Sequence, residues 1–326
     1  MMRSATALAT FVGLGALLLA STPARAAIDW SSVPGKEIEL FYPGQSSFEW
    51  ALTESEMSGA PKFRNEGKNC DSCHVGEEKD MGPQIVTGQK RVFKTGEKPS
   101  IEPTPIAGKP GAFPATLKFA NDGTNLFVHV EFNEGSQPDA KQDPAFATKV
   151  AVMFIPPTAT EATRMGCWSA CHDDSAGMPS ANGASRTMYL PKTHLKLTRQ
   201  GGGDALKPQA DLDKLRADGY FLEYWQAKLN SGAAASADSG IIFDKREATK
   251  PSLATAEATN AGGVWSVTLS GKLNPGAGFI AFAPGTTYRV ALAIHSGHTA
   301  KRFHYVSYER TLAIDSGAAD FVAVKK

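Results

Sequence analysis

The four cysteines of the chain fall into two clusters, each ending on a histidine: Cys70-Asp71-Ser72-Cys73-His74 and Cys167-Trp168-Ser169-Ala170-Cys171-His172. The first has the spacing of c-type haem attachment. Two thiols form thioethers to the vinyl groups on one porphyrin edge, and the next residue comes under the iron. Cys70 and Cys73 are then attachment residues and His74 the proximal metal ligand. A redox dithiol or half a zinc site would account for the thiols but not for a histidine directly after the second. The other cluster has one more residue between its thiols, so a structural Cys167–Cys171 disulfide is the alternative in an oxidising compartment. Three features favour a second haem on Cys167, Cys171 and His172. The histidine follows the second cysteine again, no other cysteine is left to pair, and the flanking sequence is glycine-rich and polar.

Each iron then needs a sixth ligand, or an open position if it does chemistry on a small molecule. Five histidines lie outside the motifs: His129, His194, His295, His298 and His304. His129 reads as an ordinary sheet residue and His194 as an exposed loop residue. The segment from His295 to His304 holds three of the seven histidines within ten residues, across a strand end, a glycine turn and the next strand start. Among the methionines, Met57, Met81, Met153, Met165, Met178 and Met188 could offer sulfur. Met153 sits in an apolar strand and reads as core, while Met178 follows His172 too closely to reach the opposite face of the same ring easily. For the first haem, His295 ranks above Met57 and Met81 as the ligand opposite His74.

The elements that must hold these residues are mostly strands. Met1-Met2-Arg3, an apolar run to Ala20 and Ala24-Arg25-Ala26 read as a cleaved export signal over residues 1–26, the run being shorter than the ~20 residues that span a bilayer. An uncleaved anchor is the alternative. Cleavage removes Arg3 and Arg25 and no acid, taking the charge from +1 to −1 over the 300 residues that remain, with no second candidate span. At 42% hydrophobic and 21% charged, with no long basic block, the chain is an ordinary globular one with no case for nucleic-acid binding. Residues 27–110 form an N-terminal haem segment, with a short helix expected from Ser46 to Met57 and a wrapped loop from His74 to Pro114. Residues 111–326 form the main domain. There, Leu117 and Phe119, the turn Asn121-Asp122-Gly123, and Leu126, Val128 and Val130 predict a hairpin. Further strands are expected at Lys149–Ile155, Val264–Ser270, Thr287–His295 and Phe303–Ile314. An apolar stripe predicts a helix over Asp211–Leu229, and the small residues Asn230–Gly240 predict a loop. The fold class expected is mainly β, an antiparallel β-sandwich with helical and loop insertions.

Gly166-Cys167-Trp168-Ser169-Ala170-Cys171-His172-Asp173-Asp174, Met178-Pro179, the run Gly263–Leu269 and the run Tyr288–Ile294 carry a family resemblance. Over roughly residues 110–320 the chain resembles the cytochrome c-552/dimethyl sulfoxide reductase-like haem-binding domain family, related to ethylbenzene dehydrogenase gamma subunits. The resemblance implies a haem-holding β-sandwich and electron transfer beside molybdenum enzymes in the periplasm. Those gamma subunits hold a non-covalent haem b through Met and Lys, whereas the cysteines here match a c-type, dihaem branch. The family lysine falls near Lys301 to His304. This places His304 opposite His172, with Lys301 as runner-up and Met178 nearest to the family methionine.

Together these readings predict a periplasmic dihaem c-type cytochrome with two covalently attached haems. It would pass electrons between a membrane or quinol-linked component and a redox enzyme, and would itself catalyse no reaction. Redox proteins are its expected partners, with a molybdenum oxidoreductase or a membrane cytochrome the kinds implied by the resemblance. Lys192, Lys196 and Arg199 form a local patch that could dock an acidic surface. A peroxidase-like dihaem enzyme with one open iron and a haem-based sensor subunit are the other classes. The strand-rich second half speaks against the largely helical peroxidases.

Overall fold

The computed structural model describes residues 28–44, 60–89, 101–102, 104–170, 189–196 and 205–326. Within them thirteen strands join into one hydrogen-bonded sheet that doubles back on itself. The strands are β1 (Gly35–Phe41), β2 (Ala112–Asn121), β3 (Asn125–Asn133), β4 (Thr148–Ile155), β5 (Leu222–Leu229), β6 (Ser236–Ile242) and β7 (Arg246–Ala248). They continue with β8 (Ala254–Ala261), β9 (Val264–Lys272), β10 (Tyr288–His295), β11 (Tyr305–Val306), β12 (Arg310–Ile314) and β13 (Phe321–Lys325). One layer runs β7-β6-β5-β4-β10 and the other β1-β2-β3-β9-β8. The expected mainly β sandwich is therefore the fold, with one addition: β13 lies parallel to both β12 and β2.

The hairpin forms where the alternation placed it. The Asp122 carboxylate accepts the backbone N–H groups of Thr124 (2.9 Å) and Asn125 (2.7 Å), an Asx-type turn that sets the register of β2 against β3. Between the layers, Phe154, Trp225 and Phe282 stack edge to face. Trp225 lies so close to β9 that a Cβ on Gly271 would stand 2.5 Å from its ring. Only glycine admits the indole there.

The two layers are joined by a forked strand. Residues 305–314, expected as part of one continuous strand, split instead. β11 pairs with β10 at Ala293 and Ile294 and with β1 at Phe41, whereas β12 pairs with β10 at Tyr288–Val290 and with β13. In the gap Ser307 stands in for strand pairing. Its N–H donates to the Leu292 carbonyl (2.9 Å), and its hydroxyl accepts the Leu292 N–H (3.0 Å). The fork closes a ring, β10-β11-β1-β2-β13-β12, in which β1 comes from the N-terminal segment.

Three local expectations change. The helix foreseen over Asp211–Leu229 ends as α5 (Gln209–Ala217), and the chain then enters β5, a buried strand between β4 and β6. An apolar run covered on both faces satisfies a helical stripe and a buried strand equally, and tertiary pairing decided it. The small residues of Asn230–Gly240 enter β6 from Ser236. The stretch after His74 contains a helix, α3 (Glu78–Val86), despite Pro83 inside it, and Gly82 packs against Gly111 and Phe41. The helix expected over Ser46–Met57 lies outside the described residues. No helix among the described residues is long and apolar enough to cross a membrane.

We expect Gly271→Ala to destabilise the fold by about 1–3 kcal/mol through overpacking against Trp225. Denaturant unfolding of the haem-loaded protein would show it as a lower midpoint with an unchanged slope.

Candidate haem-attachment site

The first motif forms a single helical turn, α2 (Asp71–His74), in which the N–H groups of Cys73 and His74 both donate to the Cys70 carbonyl (3.2 and 3.0 Å). Residues three and four apart share a helix face, so Cys70, Cys73 and His74 point the same way. The second motif begins where α4 (Ala162–Met165) tightens into the 3-10 turn Gly166–Ala170. Cys171 and His172 lie outside the described residues.

Although Cys167 comes 97 positions after Cys70, the fold brings the first motif to the start of the second. The Cys70 N–H reaches the Arg164 carbonyl (3.4 Å), and the Arg164 guanidinium donates to the Phe63 carbonyl in α1 (Ala60–Asn65), beside the first motif. Arg310, at the start of β12, donates to the Asp71 carboxylate at 3.0 Å. Both cysteines face Glu309, the residue just before β12, whose charge acts on each thiol. Gly166, at φ +49°, lies under that carboxylate, and a Cβ there would stand 3.2 Å from Glu309 Oε2. Trp168 completes the pocket by stacking with Phe41 (5.6 Å) and Tyr308 (5.5 Å).

The electrostatics separate the chemical options. Burial pushes the Cys167 thiol up to about 12, with Glu309 adding to it, and raises Cys70 well above the ordinary thiol value for the same reasons. A zinc site or a reactive dithiol needs thiolates, which this environment resists. A thioether sulfur is neutral and tolerates the half-buried places that Cys70 and Cys167 occupy. Cys70, Cys73 and Cys167 are free thiols, and Cys73 is exposed at the edge where a porphyrin would sit. His74 is half-exposed, and its Nδ1 bonds Glu77 Oε2 at 2.9 Å, which leaves Nε2 for a metal. That is the orientation of a ligating histidine, whose far nitrogen is held by a carboxylate. The residues present fit a covalently bound haem. Among the described residues no three His, Cys, Asp or Glu side chains gather as a site for a bare metal ion.

Glu309 is the residue that sequence reasoning missed. It is fully buried, and neither oxygen has a hydrogen-bond partner of good geometry, Asn69 offering only weak polar relief. Burial pushes its carboxyl up to about 8; Asp71 adds to the rise and Arg289 opposes it. No local pattern marks a glutamate at a strand break as buried.

The remaining candidates lie elsewhere. His295 and His304 meet each other, ring centroids 4.9 Å apart, and each bonds the Lys301 carbonyl at 2.8 Å, through Nε2 and Nδ1 respectively. Lys301 is itself exposed at a turn, with φ +60°. His129 is the sheet residue it was expected to be, buried in β3, stacked on Trp30 and bonded to Thr268. Met153 is core and Met165 is fully buried. Met57, Met178, Met188 and Arg199 lie outside the described residues. His194, expected at the surface, is buried at 8% exposure with both ring nitrogens unpartnered, and burial lowers its pKa.

The described residues form a β-sandwich in which Cys70 and Cys167, the leading cysteines of the two motifs, lie near one buried carboxyl. No family model matches the chain. It is 31% identical to "Cytochrome c-552" of Stutzerimonas stutzeri over 93% of this chain and 92% of that protein. It is 27% identical to "Cytochrome c-551" of Rhodocyclus tenuis over 91% and 99% respectively. The chain belongs to the cytochrome c family that these proteins represent. Among solved structures, a family 9 carbohydrate-binding module from Caldicellulosiruptor kristjanssonii in complex with glucose aligns at 10% identity and a TM-score of 0.29, covering 60% of this chain and 65% of that one.

Replacing the Glu309 carboxyl tests its burial. A carboxyl whose folded pKa of about 8 exceeds its ordinary 4.5 binds more protons when folded, so its contribution to stability falls as pH rises between those values and is flat above them. Glu309→Gln should remove that part of the decline, at most about 1.4 kcal/mol per pH unit. Urea unfolding at pH 5 and pH 8 reads it directly; parallel pH dependences in variant and wild type would mean the carboxyl is not held protonated.

Proposed function

We propose that the protein is a periplasmic dihaem c-type cytochrome that transfers electrons between a membrane or quinol-linked component and a redox enzyme. The observation that supports this reading best is the meeting of the two cysteine segments, where the Cys70 N–H donates to the Arg164 carbonyl (3.4 Å) just ahead of Cys167 and Gly166 lies against Glu309. Cys70 and Cys73 would hold the first haem with His74 as proximal ligand, and Cys167 and Cys171 the second with His172. When bound, haem supplies a one-electron Fe(III)/Fe(II) couple whose potential the protein sets through ligands, burial and nearby charge.

The chain's own residues determine what that couple does. Arg164 and Arg310 fasten the first motif to the sandwich, which keeps the distance between attachment points constant. The Trp168, Tyr308 and Phe41 rings exclude water from the Cys167 side. His295 and His304, whose rings lie 4.9 Å apart and both bond the Lys301 carbonyl, are the sixth-ligand candidates that the described residues bring together. With a protein ligand on each side, irons held here would pass electrons and not bind substrate, which favours a carrier over a peroxidase. A molybdenum oxidoreductase is the partner type the family resemblance suggests. Lys192 and Lys196 offer basic groups on the loop that follows the second motif.

The test is haem per polypeptide, from a pyridine haemochrome spectrum and intact mass after expression with a c-type maturation system. Two covalent haems are expected, falling to one in Cys167→Ala, and carbon monoxide should leave the reduced spectrum unchanged. A single haem in the wild type would reduce the protein to a one-centre carrier, and carbon monoxide binding would make it a ligand-binding or catalytic haem protein.

A further inference from the structure

A groove of about 510 Å³ crosses the layer β7-β6-β5-β4-β10, and no residue of either cysteine motif lines it. Side chains alternate along a strand, so Tyr224, Gln226 and Lys228 of β5 share one face, the opposite of the one on which Trp225 packs between the layers. Lys149 of β4 stands opposite Lys228, and Asp238 of β6 opposite Gln226. The outward face of a sheet ordinarily leaves such groups in water. Here Tyr224 keeps only 4% of its surface exposed, and Gln226 and Lys149 7% each, because the loop residues Asp143, Phe146, Ala300 and Lys301 wall the groove in.

Part of this polar lining is satisfied from within. Lys149 pairs with Asp143 and donates to the Thr299 carbonyl (2.9 Å), and Lys228 pairs with Asp238. The Arg246 guanidinium lies over the Tyr224 ring, 4.2 Å from its centre, and its Nη2 donates to Gln226 Oε1 (3.3 Å). What is left over is almost entirely donor capacity. Among the described residues the Tyr224 hydroxyl and the Gln226 amide nitrogen make no hydrogen bond, and neither Arg246 nor Lys301 has a carboxylate partner. Four cations against two carboxylates also leave the lining with an excess of two positive charges. Buried donors beside unpaired cations are complementary to an anion rich in acceptors, and a guanidinium fork fits a carboxylate in particular.

We propose that this groove binds a small dicarboxylate. One carboxylate takes Arg246 with the Gln226 amide and the Tyr224 hydroxyl, and the other takes Lys301 beside the Lys149 and Lys228 row. Gln226 and Lys228 are two residues apart on β5, about 7 Å, which a short dicarboxylate spans. This site goes beyond the electron-transfer reading and does not depend on it. His295 lines the same groove and the Lys301 carbonyl receives both His295 and His304, so an occupant would bear on the loop that joins the two histidines.

The experiment is calorimetric titration of the haem-loaded protein at low ionic strength with glutarate and, separately, with inorganic phosphate and acetate. Glutarate should bind once per chain, and more tightly than either other anion. Arg246→Gln and Lys301→Gln should each weaken it about tenfold or more, the worth of a hydrogen bond to a charged group. Tyr224→Phe, which removes only the hydroxyl, should weaken it less. Lys245→Gln removes an equal charge next to Arg246 at a residue that does not line the groove, and should leave binding unchanged. No binding of glutarate would overturn the proposal, as would phosphate binding more tightly than glutarate, or Lys245→Gln weakening glutarate as much as Arg246→Gln does. If Arg246→Gln fails to fold, Lys301→Gln decides alone, and an unchanged affinity in it rejects the site.

Discussion

The structure turns on the interruption of one strand at Ser307–Glu309. Because the Ser307 hydroxyl replaces a backbone acceptor opposite Leu292, the chain can leave β10 without breaking the hydrogen-bond ladder, and β11 and β12 go to different neighbours. Buried backbone groups must be paired, and a serine side chain is one of the few ways to pair them across a gap. The consequence is a closed ring of strands joining the two layers, with Tyr308 and Glu309 turned out of the ladder toward both cysteine motifs.

Everything attached to that break is held by polar straps. Arg310 fixes Asp71, the Arg164 side chain fixes Phe63, and the Arg164 carbonyl receives Cys70. On the far side Arg302 is buried against Glu102 and Tyr42, its Nη1 2.6 Å from Glu102 Oε2 and 2.8 Å from Tyr42 Oη. This anchors the loop between β10 and β11 to the N-terminal segment. Such a pair contributes little net stability, but losing one partner would strand a buried charge. The N-terminal segment is thereby built into the sandwich through β1, and the two attachment motifs are positioned by the same strand break.

Burial at the junction also selects the chemistry. Thiols kept neutral beside a protonatable carboxyl make poor ligands for bare metal ions and poor nucleophiles, while a thioether in the same place costs nothing in charge. Glu309 is costly to bury without partners, and such costs persist where function uses them. Its charge acts on both thiols, so its protonation state bears on Cys70 and Cys167 at once.

The sequence by itself determined the spacing of the first motif, and the structure sets Cys70, Cys73 and His74 on one helical turn. It also determined the strands whose alternation faces one buried side, such as β2, β3 and β9, because period-two burial is written residue by residue. It failed where burial is two-sided, as in β5, and where small residues join a sheet by backbone pairing alone, as in β6. Local pattern could not show that His194 is buried, that Glu309 lies between two cysteines, or that residues 305–314 divide between two partners. Those facts depend on which distant segments meet, and only the tertiary structure decides which polar atoms are left without water.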